Sequence, residues 1–452
     1  MNWYGEHILI LGLGNSGLAA ARWLAHRGAD LRVADSAAQP ANLPALLALN
    51  NSIKVSLGAF DAADFDWADR IVISPGVPVQ QPLIQAAIAR GVSVWSDVEL
   101  FAQALPESAQ VIAITGSNGK STVTTMVDAM CRAAGKKTLM AGNIGLPVLE
   151  ALEEHPGTEM FVLELSSFQL ETTYTLHPLA ATVLNVSEDH LDRYADMDDY
   201  AATKARIFKT GGNQVLNRDD ARTMAMAHGK VVTFGLDAPA SDSEYGIRDG
   251  YLCRGKHKLL AVKNLPLAGL HNAANALAAW ALCAAAGLPD APLAKAMRTF
   301  KGLPHRVEWV ANVAGVDFYD DSKGTNVGAT EAALNGMDKP VVLIVGGEGK
   351  GQDFTPLAAA VQKSARAVVQ IGRDGALIAD AISPAGVPIV RAESMESAVS
   401  LAFAHAQNGD AVLLSPACAS FDMFKNYAHR AEMFIAAVHA LAAISATEGK
   451  NG

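Results

Sequence analysis

The sequence VIAITGSNGKST, at residues 111–122, contains the residue types that bind nucleotide phosphates. Its first half has the β-branched content of a strand, its glycines suit a tight turn, and Lys120 opens a stretch with helical periodicity. The unpaired backbone N–H groups of such a turn attract an anion. Lysine here reaches the β- and γ-phosphates, and the hydroxyl of Ser121 or Thr122 binds Mg²⁺. Ile114 replaces the first glycine of the general pattern, so the sequence predicts a variant ATP-binding loop.

A second glycine-rich turn, GLGNSG at residues 12–17, follows an apolar strand-like stretch and precedes a helical one. The acidic residue Asp35 follows at the end of the next predicted strand. This pattern indicates a diphosphate at a helix N-terminus and a carboxylate near a ribose hydroxyl. Both NAD and a uridine diphosphate sugar satisfy these requirements, so the turn alone leaves the ligand open.

Three further side chains are candidates for metal or proton chemistry. Glu164 ends an apolar strand-like stretch, where a carboxylate is costly to bury without a cation, so it is a candidate Mg²⁺ ligand or an edge glutamate. His190, among several carboxylates, fits a metal ligand, a proton carrier or a solvated loop residue. Lys204, taken alone, is typical of a solvated helix face.

The elements that position these residues alternate between strands and helices along the whole chain. The 452 residues suggest about three domains, which we place at residues 1–103, 104–303 and 304–452. The net charge of −10 provides no basic field for nucleic acid or an anionic membrane. The four cysteines are scattered, which favours a reducing cytoplasm. The longest uncharged stretches are alanine-rich and fall short of the ~18 residues that a membrane-spanning helix needs.

Several further motifs follow in a fixed order, at residues 142–147, 164–171, 185–194, 270–275 and 303–306. Together with the phosphate loop, they resemble the Mur ligase family, ATP-dependent enzymes that add amino acids to the peptide of the cell-wall precursor. The resemblance is greatest to the D-glutamate-adding members, and the D-N-P-R motif of the diaminopimelate-adding relatives is absent. It implies an α/β protein with a Rossmann-like N-terminal domain, a P-loop ATPase-like central domain and a Rossmann-like C-terminal domain.

The resemblance also implies a reaction. A ligase of peptidoglycan synthesis would transfer the ATP γ-phosphate to the terminal carboxylate of UDP-N-acetylmuramoyl-L-alanine, and the amine of D-glutamate would displace phosphate from the acyl phosphate. We therefore expect ATP and Mg²⁺ as cofactors and a monomeric cytoplasmic enzyme without nucleic-acid or membrane partners. Its product would serve cell wall biogenesis, cell shape, cell division and the cell cycle.

Site residues follow from the same resemblance. The implied ATP contacts are Gly116, Ser117, Asn118, Gly119, Lys120, Ser121, Thr122, Asn272, Asn275, Arg306, Asp321 and Lys323. The implied UDP-substrate contacts are Gly14, Asn15, Ser16, Asp35, Ser36, Gly76, Asn143 and Ser166. The implied D-glutamate contacts are Thr325, Lys350, Ser420 and Tyr427. The implied catalytic residues are Lys120, Glu164, His190 and Lys204, and the implied metal ligands are Ser121, Glu164, His190 and Lys204, the lysine being carbamylated.

Two departures from the family pattern concern binding residues. Ser36 and Ala37 stand where a family member has Thr-Arg at its uracil pocket, and Tyr427 replaces a usual phenylalanine.

Three other functions are alternatives to this ligase: a ligase for a different amino acid, an NAD-dependent dehydrogenase that uses the first glycine-rich turn, and a nucleotide-sensing module without turnover. A dehydrogenase would leave residues 116–122 without a role.

Overall fold

The computed structural model describes residues 3–189, 193–229, 231–267 and 269–448. The first sheet has five parallel strands in the order β3-β2-β1-β4-β5. They are β1 His7–Leu11, β2 Asp30–Asp35, β3 Lys54–Leu57, β4 Arg70–Ile73 and β5 Ser93–Trp95. The helices between them are α1 Asn15–Ala25, α2 Leu43–Leu49, α3 Ala62–Trp67, α4 Pro82–Ala89 and α5 Asp97–Ala104. The central strand β1 is almost wholly apolar and buried, as expected for a parallel strand covered on both faces.

The second sheet has nine strands in the order β14-β13-β12-β11-β10-β9-β6-β8-β7. They are β6 Gln110–Thr115, β7 Thr138–Gly142, β8 Met160–Glu164, β9 Ala180–Val183, β10 Asn213–Asn217, β11 Val231–Phe234, β12 Glu244–Arg248, β13 Tyr251–Arg254 and β14 His257–Ala261. The helices of this region are α6 Lys120–Ala133, α7 Val148–Glu154, α8 Ser167–Glu171, α9 Met197–Ala205, α10 Ala221–Met224, α11 Leu270–Ala285 and α12 Asp290–Thr299, with 3-10 turns at Arg206–Phe208 and Val262–Asn264. The strand of the phosphate loop, β6, lies between β8 and β9, so neighbouring strand ends flank the loop.

The first two sheets belong to one compact unit, which comprises residues 1–186, 198–261 and 276–298. Helix α5 fastens them together. The buried carboxylate of Glu99 accepts hydrogen bonds from the backbone N–H groups of Tyr174, at 2.6 Å, and Thr175, at 2.9 Å. The backbone N–H of Ser96 donates to the carbonyl of Thr172. These bonds connect the segment that follows the last strand of the first sheet to the loop between β8 and β9 of the second sheet.

The third sheet lies in the other compact unit, which comprises residues 187–197, 262–275 and 299–452. Its six strands have the order β15-β16-β20-β17-β18-β19. They are β15 Glu308–Val313, β16 Val316–Asp320, β17 Val341–Gly346, β18 Ala365–Ile371, β19 Ile389–Arg391 and β20 Ala411–Leu414. The helices are α13 Val327–Gly336, α14 Leu357–Ser364, α15 Gly375–Ile382, α16 Met395–His405 and α17 Tyr427–Glu448, with a 3-10 turn at Ser383–Ala385. Alternate residues of β17 enter two separate hydrophobic cores, which is the period of a strand covered on both faces.

The predicted α/β fold with mostly parallel sheets is confirmed. Among the described strands, antiparallel pairing occurs at the sheet edges, at β12–β14 and β15–β16. Each of the three predicted domain stretches contributes the strands of one sheet, and the exact boundaries stay a prediction. Within the described ranges, no helix is both long and apolar enough to cross a bilayer.

Candidate active site

The predicted phosphate loop is a strand, a turn and a helix. Gly116 and Gly119 have φ values of +150° and +83°, a region that favours glycine. Helix α6 begins at Lys120, whose Nζ donates to the carbonyls of Gly116 and Ser117, each at 2.8 Å. The ammonium group therefore already lies over the turn. The N-cap residue of the helix is Gly119, which has no side chain, so the N-terminus of α6 is open to the kind of anion that helix N-termini bind.

Asn185, for which no individual role is predicted, holds the loop from the end of the neighbouring strand β9. Its side-chain oxygen accepts from the backbone N–H of Asn118 at 2.7 Å, and its amide donates back to the carbonyl of Asn118 at 3.1 Å. The carbonyl of Asn185 accepts from the backbone N–H of Ser117 at 3.0 Å. The hydroxyl-bearing residues Ser121 and Thr122 are buried in the first turn of α6.

Glu164 ends strand β8 and is paired with Ile114 of the phosphate-loop strand. The glutamate is 1% exposed, and its Oε1 accepts from Asn143 Nδ2 at 2.7 Å. Its Oε2 is buried and hydrogen-bonds to no side chain or backbone group of the described residues. Gly142, with φ +107°, makes the contact possible, since a Cβ there would lie 2.3 Å from the carbonyl oxygen of Glu164. The structure thus joins a predicted metal ligand to a predicted UDP-substrate residue.

Lys204 is 1% exposed, so it does not lie on the solvated face that the residue alone suggests. Its Nζ donates to the carbonyl of Gly116 at 3.0 Å and lies 4.5 Å from the ring centroid of Tyr200. Helix α9 therefore brings this lysine to the start of the phosphate loop. His190, predicted as a catalytic residue and metal ligand, lies outside the described residues.

A cavity of about 490 Å³ opens at the carboxyl ends of β1 and β4, where doubly wound sheets bind ligands. Most of the predicted UDP-substrate residues line it: Gly14, Asn15, Ser16, Asp35, Ser36, Gly76 and Asn143. Ser166 is not among the lining residues; its side chain caps α8 by accepting from the backbone N–H of Gln169. The cavity is also lined by Ser74, Gly145 and Gln169, to which the sequence analysis assigns no individual role, although Gly145 and Gln169 lie in the motifs at residues 142–147 and 164–171.

Asp35 shapes the glycine-rich turn of this cavity. One carboxylate oxygen accepts from the backbone N–H of Leu13 at 2.6 Å and the other accepts from that of Ala37 at 2.8 Å. A Cβ at Gly17 would lie 1.9 Å from the carbonyl oxygen of Gly12, so helix α1 packs closely on strand β1. The carboxylate thus holds the turn in addition to the ribose contact that the sequence predicts.

In the second unit, a cavity of about 680 Å³ is lined by two of the predicted ATP residues, Asn272 and Arg306. Asn275 is not a lining residue, although its Nδ2 lies 3.4 Å from the Oδ1 of Asn272. Burial, together with the nearby charge of Arg306, lowers the pKa of His271 to about 4. Within the described chain, neither His271 Nδ1 nor Arg306 Nε has a hydrogen-bond partner, and both atoms are buried. The cavity lining thus includes an imidazole, a guanidinium group and the side-chain amide of Asn272.

Two loops of the third sheet carry most of the remaining predicted residues. The loop after β16 carries Asp321, Lys323 and Thr325, and the segment after β20 carries Ser420 and Tyr427. Burial raises the pKa of Asp321 to about 7, and the charge of Arg306 opposes this shift. The carboxyl group accepts from the hydroxyl of Ser415, at the end of the adjacent strand β20, at 2.7 Å.

Lys350 and Asp189 form an ion pair in this unit, with 3.4 Å between Nζ and Oδ1. The other oxygen of Asp189 is 3.4 Å from Asn326 Nδ2. Lys350 has φ +54°, an uncommon backbone conformation for a side chain other than glycine. Through Asp189, the ammonium of Lys350 lies near Asn326, which follows Thr325 in the same loop.

His305, Glu308 and Asp320 form a cluster whose potential ligand atoms all lie within 4.8 Å of one another. Internal hydrogen bonds account for it. His305 Nδ1 lies 2.6 Å from the buried Asp320 Oδ2, and the backbone N–H of His305 donates to Glu308 Oε2 at 2.8 Å. This cluster differs from the predicted metal set.

Comparison with known proteins places these features in a family context. Three family models match in turn: the Mur ligase MurD-like N-terminal domain at residues 6–96, the Mur ligase middle domain at 114–283 and the Mur ligase glutamate ligase domain at 305–418. The chain is 58% identical to UDP-N-acetylmuramoylalanine–D-glutamate ligase from Methylobacillus flagellatus over 96% of both chains. It is 55% identical to the ligase of the same name from Thiobacillus denitrificans over 97% of both.

A solved structure supports the fold independently. UDP-N-acetylmuramate–alanine ligase from Thermotoga maritima superimposes with a TM-score of 0.60 and 20% identity, over 96% of this chain and 99% of the other. Because only 20% of the residues are identical, this structure supports the fold alone.

Proposed function

Because this chain belongs to the Mur ligase family, we propose that it joins D-glutamate to UDP-N-acetylmuramoyl-L-alanine, with conversion of ATP to ADP and phosphate through an acyl phosphate. The observation that carries the proposal is the 58% identity, over nearly the full length of both chains, to a UDP-N-acetylmuramoylalanine–D-glutamate ligase. The enzyme is thus an ATP-dependent ligase of peptidoglycan synthesis.

An amine does not readily attack a carboxylate, because the carboxylate oxygens are poor leaving groups. Phosphorylation by ATP converts the carboxylate into an acyl phosphate, whose phosphate leaves easily. The chain's part is to position the reactants and to neutralise charge. Lys120 has its Nζ on the carbonyls of Gly116 and Ser117, and we infer that it exchanges these bonds for phosphate oxygens. The N-terminus of α6 adds backbone N–H donors and a favourable helix dipole.

The chain also suits a magnesium ion. One carboxylate oxygen of Glu164 is buried and bonds to none of the described groups. Burying such an oxygen is costly unless a cation binds it, and carboxylate oxygens are ligands that Mg²⁺ prefers. We assign the ion to Ser121, Glu164, His190 and a carbamylated Lys204. Bound there, Mg²⁺ would neutralise phosphate charge during transfer. Carbamylation would convert the buried ammonium of Lys204 into an anion.

The UDP part of the substrate fits the cavity of the first sheet. The N-terminus of α1, which begins just after Gly14 and has no side-chain cap, suits a diphosphate. Asp35 and Ser36 line the same cavity and suit the ribose and uracil, and Asn143 and Gly76 approach from other connections. A uridine diphosphate sugar accounts for this cavity without a nicotinamide.

D-glutamate carries two carboxylates, and the third-sheet unit offers groups that could hold both. We assign the α-carboxylate to Lys350 and Thr325, and the side-chain carboxylate to Ser420 and the backbone at Tyr427. The same unit also carries five residues that we assign to ATP: Asn272, Asn275, Arg306, Asp321 and Lys323. Since the chain's net charge is −10, such local cations must attract the anionic substrates.

The cellular context follows from the reaction. We propose a monomeric, cytoplasmic enzyme that binds neither nucleic acid nor membrane. Its product would feed cell wall biogenesis, and through it cell shape, cell division and the cell cycle.

Phosphate release tests the proposal directly. The purified protein is supplied with ATP, Mg²⁺ and UDP-N-acetylmuramoyl-L-alanine, and with one amino acid at a time from a panel of D-glutamate, L-glutamate, D-aspartate, L-alanine and diaminopimelate. Among these amino acids, we expect sustained phosphate release only with D-glutamate. We expect no release when the UDP substrate is omitted. Equal release with another amino acid, or release independent of the UDP substrate, would overturn the assignment.

A further inference from the structure

Arg430 is a fully buried arginine on helix α17 that no motif of the sequence singled out. Its guanidinium donates to the Ser322 hydroxyl oxygen at 3.0 Å and to the Ser322 carbonyl at 2.8 Å. A third bond, at 3.1 Å, reaches the carbonyl of Cys418, and a longer one, at 3.4 Å, reaches that of Ala419. Burial lowers its pKa to about 10. Its hydrogen-bond partners in the described chain are neutral oxygens.

These partners belong to the two loops that carry the proposed D-glutamate contacts. Ser322 lies in the loop after β16, three residues before Thr325, and Cys418 lies after β20, two residues before Ser420. Ser322 continues the chain of bonds, because its hydroxyl donates to the carbonyl of Tyr427 at 2.8 Å. One side chain therefore links all three segments that carry Thr325, Ser420 and Tyr427.

The geometry of the guanidinium explains why an arginine occupies this position. Its donors lie in one rigid plane and satisfy carbonyls on both loops at once, which the compact ammonium of lysine cannot do. Burying a cation is costly unless its donors are satisfied. The arginine is therefore stable here only when the two loops hold this relative position.

We propose that Arg430 is a positioning residue for the amino-acid substrate: it sets the spacing of the loops that bind D-glutamate. The inference rests on the function proposed above. We expect Arg430 to affect amino-acid binding more than activation of the UDP substrate, because its bonds hold the segments of Thr325, Ser420 and Tyr427 and involve no residue of the phosphate loop. Asp321 and Lys323, which flank Ser322, are proposed ATP contacts, so activation is measured in the same variants.

The experiment compares Arg430→Lys and Arg430→Met with wild type and with Arg391→Lys, a control at an exposed arginine of the same unit. The KM for D-glutamate is measured at saturating ATP and UDP substrate. Activation is measured separately, without D-glutamate, as ATP-dependent hydroxamate formation from the UDP substrate and hydroxylamine. Hydroxylamine attacks the acyl phosphate at its carbonyl carbon and releases phosphate, and this small neutral amine does not need an amino-acid site.

We expect Arg430→Lys to raise the KM for D-glutamate ~10- to 100-fold, as the loss of one or two charge-assisted bonds predicts, with Arg430→Met more severe. Hydroxamate formation by Arg430→Lys should stay within about 3-fold of wild type, a difference below 1 kcal/mol. An unchanged KM, or loss of hydroxamate formation in proportion to ligation, would overturn the proposal. The proposed function fails separately, if wild type itself shows no D-glutamate-dependent ligation.

Ser322→Ala provides a second test in case the arginine variants do not fold. It removes the hydroxyl between Arg430 and Tyr427 and leaves the carbonyl bonds of the arginine. We expect a smaller rise in the KM for D-glutamate, and a rise in the double variant with Arg430→Lys that is less than the product of the single effects. A KM equal to that of wild type in Ser322→Ala, or independent effects in the double variant, would contradict the positioning role.

Discussion

Asn143 Nδ2 donates a 2.7 Å hydrogen bond to Oε1 of Glu164, a carboxylate that is 1% exposed. This bond joins the cavity of the first sheet to the end of the strand beside the phosphate loop. The amide thus leaves Oε2, which bonds to no described group, as the carboxylate's free position. Asn143 therefore serves two proposed functions: it contacts the UDP substrate and it orients the carboxylate assigned to Mg²⁺.

We predict that Asn143→Ala raises the KM for the UDP substrate and lowers stability in the absence of Mg²⁺ by about 2 kcal/mol, the typical value of a hydrogen bond to a buried charge. Added Mg²⁺ should recover part of this loss. Thermal melts with and without Mg²⁺, together with steady-state kinetics, measure both effects. Asn51→Ala, at an exposed asparagine, is the control. Wild-type melting and an unchanged KM would contradict the dual role.

The phosphate-loop lysine gives a prediction that separates function from fold. The Lys120 side chain bonds to the carbonyls of Gly116 and Ser117 and is not part of the buried hydrophobic core, so Lys120→Ala should change the melting temperature little. Ligation should fall by about 10²- to 10³-fold, as when a charge-stabilising donor is removed. Lys137→Ala, at an exposed lysine beyond the same helix, should keep full activity. Normal turnover in a folded Lys120→Ala protein would remove the lysine from the mechanism.

Asp321 predicts a pH dependence of stability. Its pKa is raised from 3.8 to about 7, so the folded state binds a proton that the unfolded state releases between these values. This contribution is present below pH ~4 and is lost as pH rises to about 7, by roughly 4 kcal/mol in total. Asparagine does not titrate, so Asp321→Asn should gain stability relative to wild type over this interval.

The comparison with Asp321→Asn is needed because His271 acts in the opposite direction. Its pKa is lowered to about 4, so the unfolded state takes up a proton first as pH falls below ~6.5, and wild type loses stability toward acid. Melting temperatures of both proteins at several pH values between 4 and 8 isolate the aspartate. A difference that does not change with pH would show that Asp321 is ionised throughout.

The sequence predicts those features that short segments encode. The phosphate loop, the first glycine-rich turn and the parallel strands follow from glycine spacing and apolar runs, and the structure contains all of them. The antiparallel edge strands β12–β14 were not predicted. The burial of Lys204 was also missed, because helix α9 alone shows nothing that distinguishes it from a surface lysine.

Residues that act through distant contacts gave no signal. Asn185 bonds to Asn118 across 67 positions, and Arg430 bonds to Ser322 across 108. Neither residue type is unusual in its local segment, so only the folded chain identifies the partner. The family resemblance supplied roles for residues at distant positions, but it supplied no role for these two.

The last prediction concerns the modification of Lys204. Carbamylation requires a neutral amine, so a lysine near its usual pKa of ~10.4 reacts little with CO₂ unless a metal captures the product. The Nζ of Lys204 is buried and 3.0 Å from the carbonyl of Gly116, which limits access by water. We expect Lys204→Ala to lose ligation and to recover part of it when formate or acetate fills the vacated anion position.

The arginine variant decides between a carbamate and a lysine that is purely structural. Arginine keeps the positive charge and cannot form the carbamate, so Lys204→Arg should be inactive and should not respond to added acid. Activity of both variants is measured with acetate, with formate and with equal ionic strength of chloride, and Lys209→Ala, at an exposed lysine, is the control. An active Lys204→Arg protein, with no response of Lys204→Ala to either acid, would mean that the lysine works as a cation and that the metal site has one fewer anionic ligand than we assign.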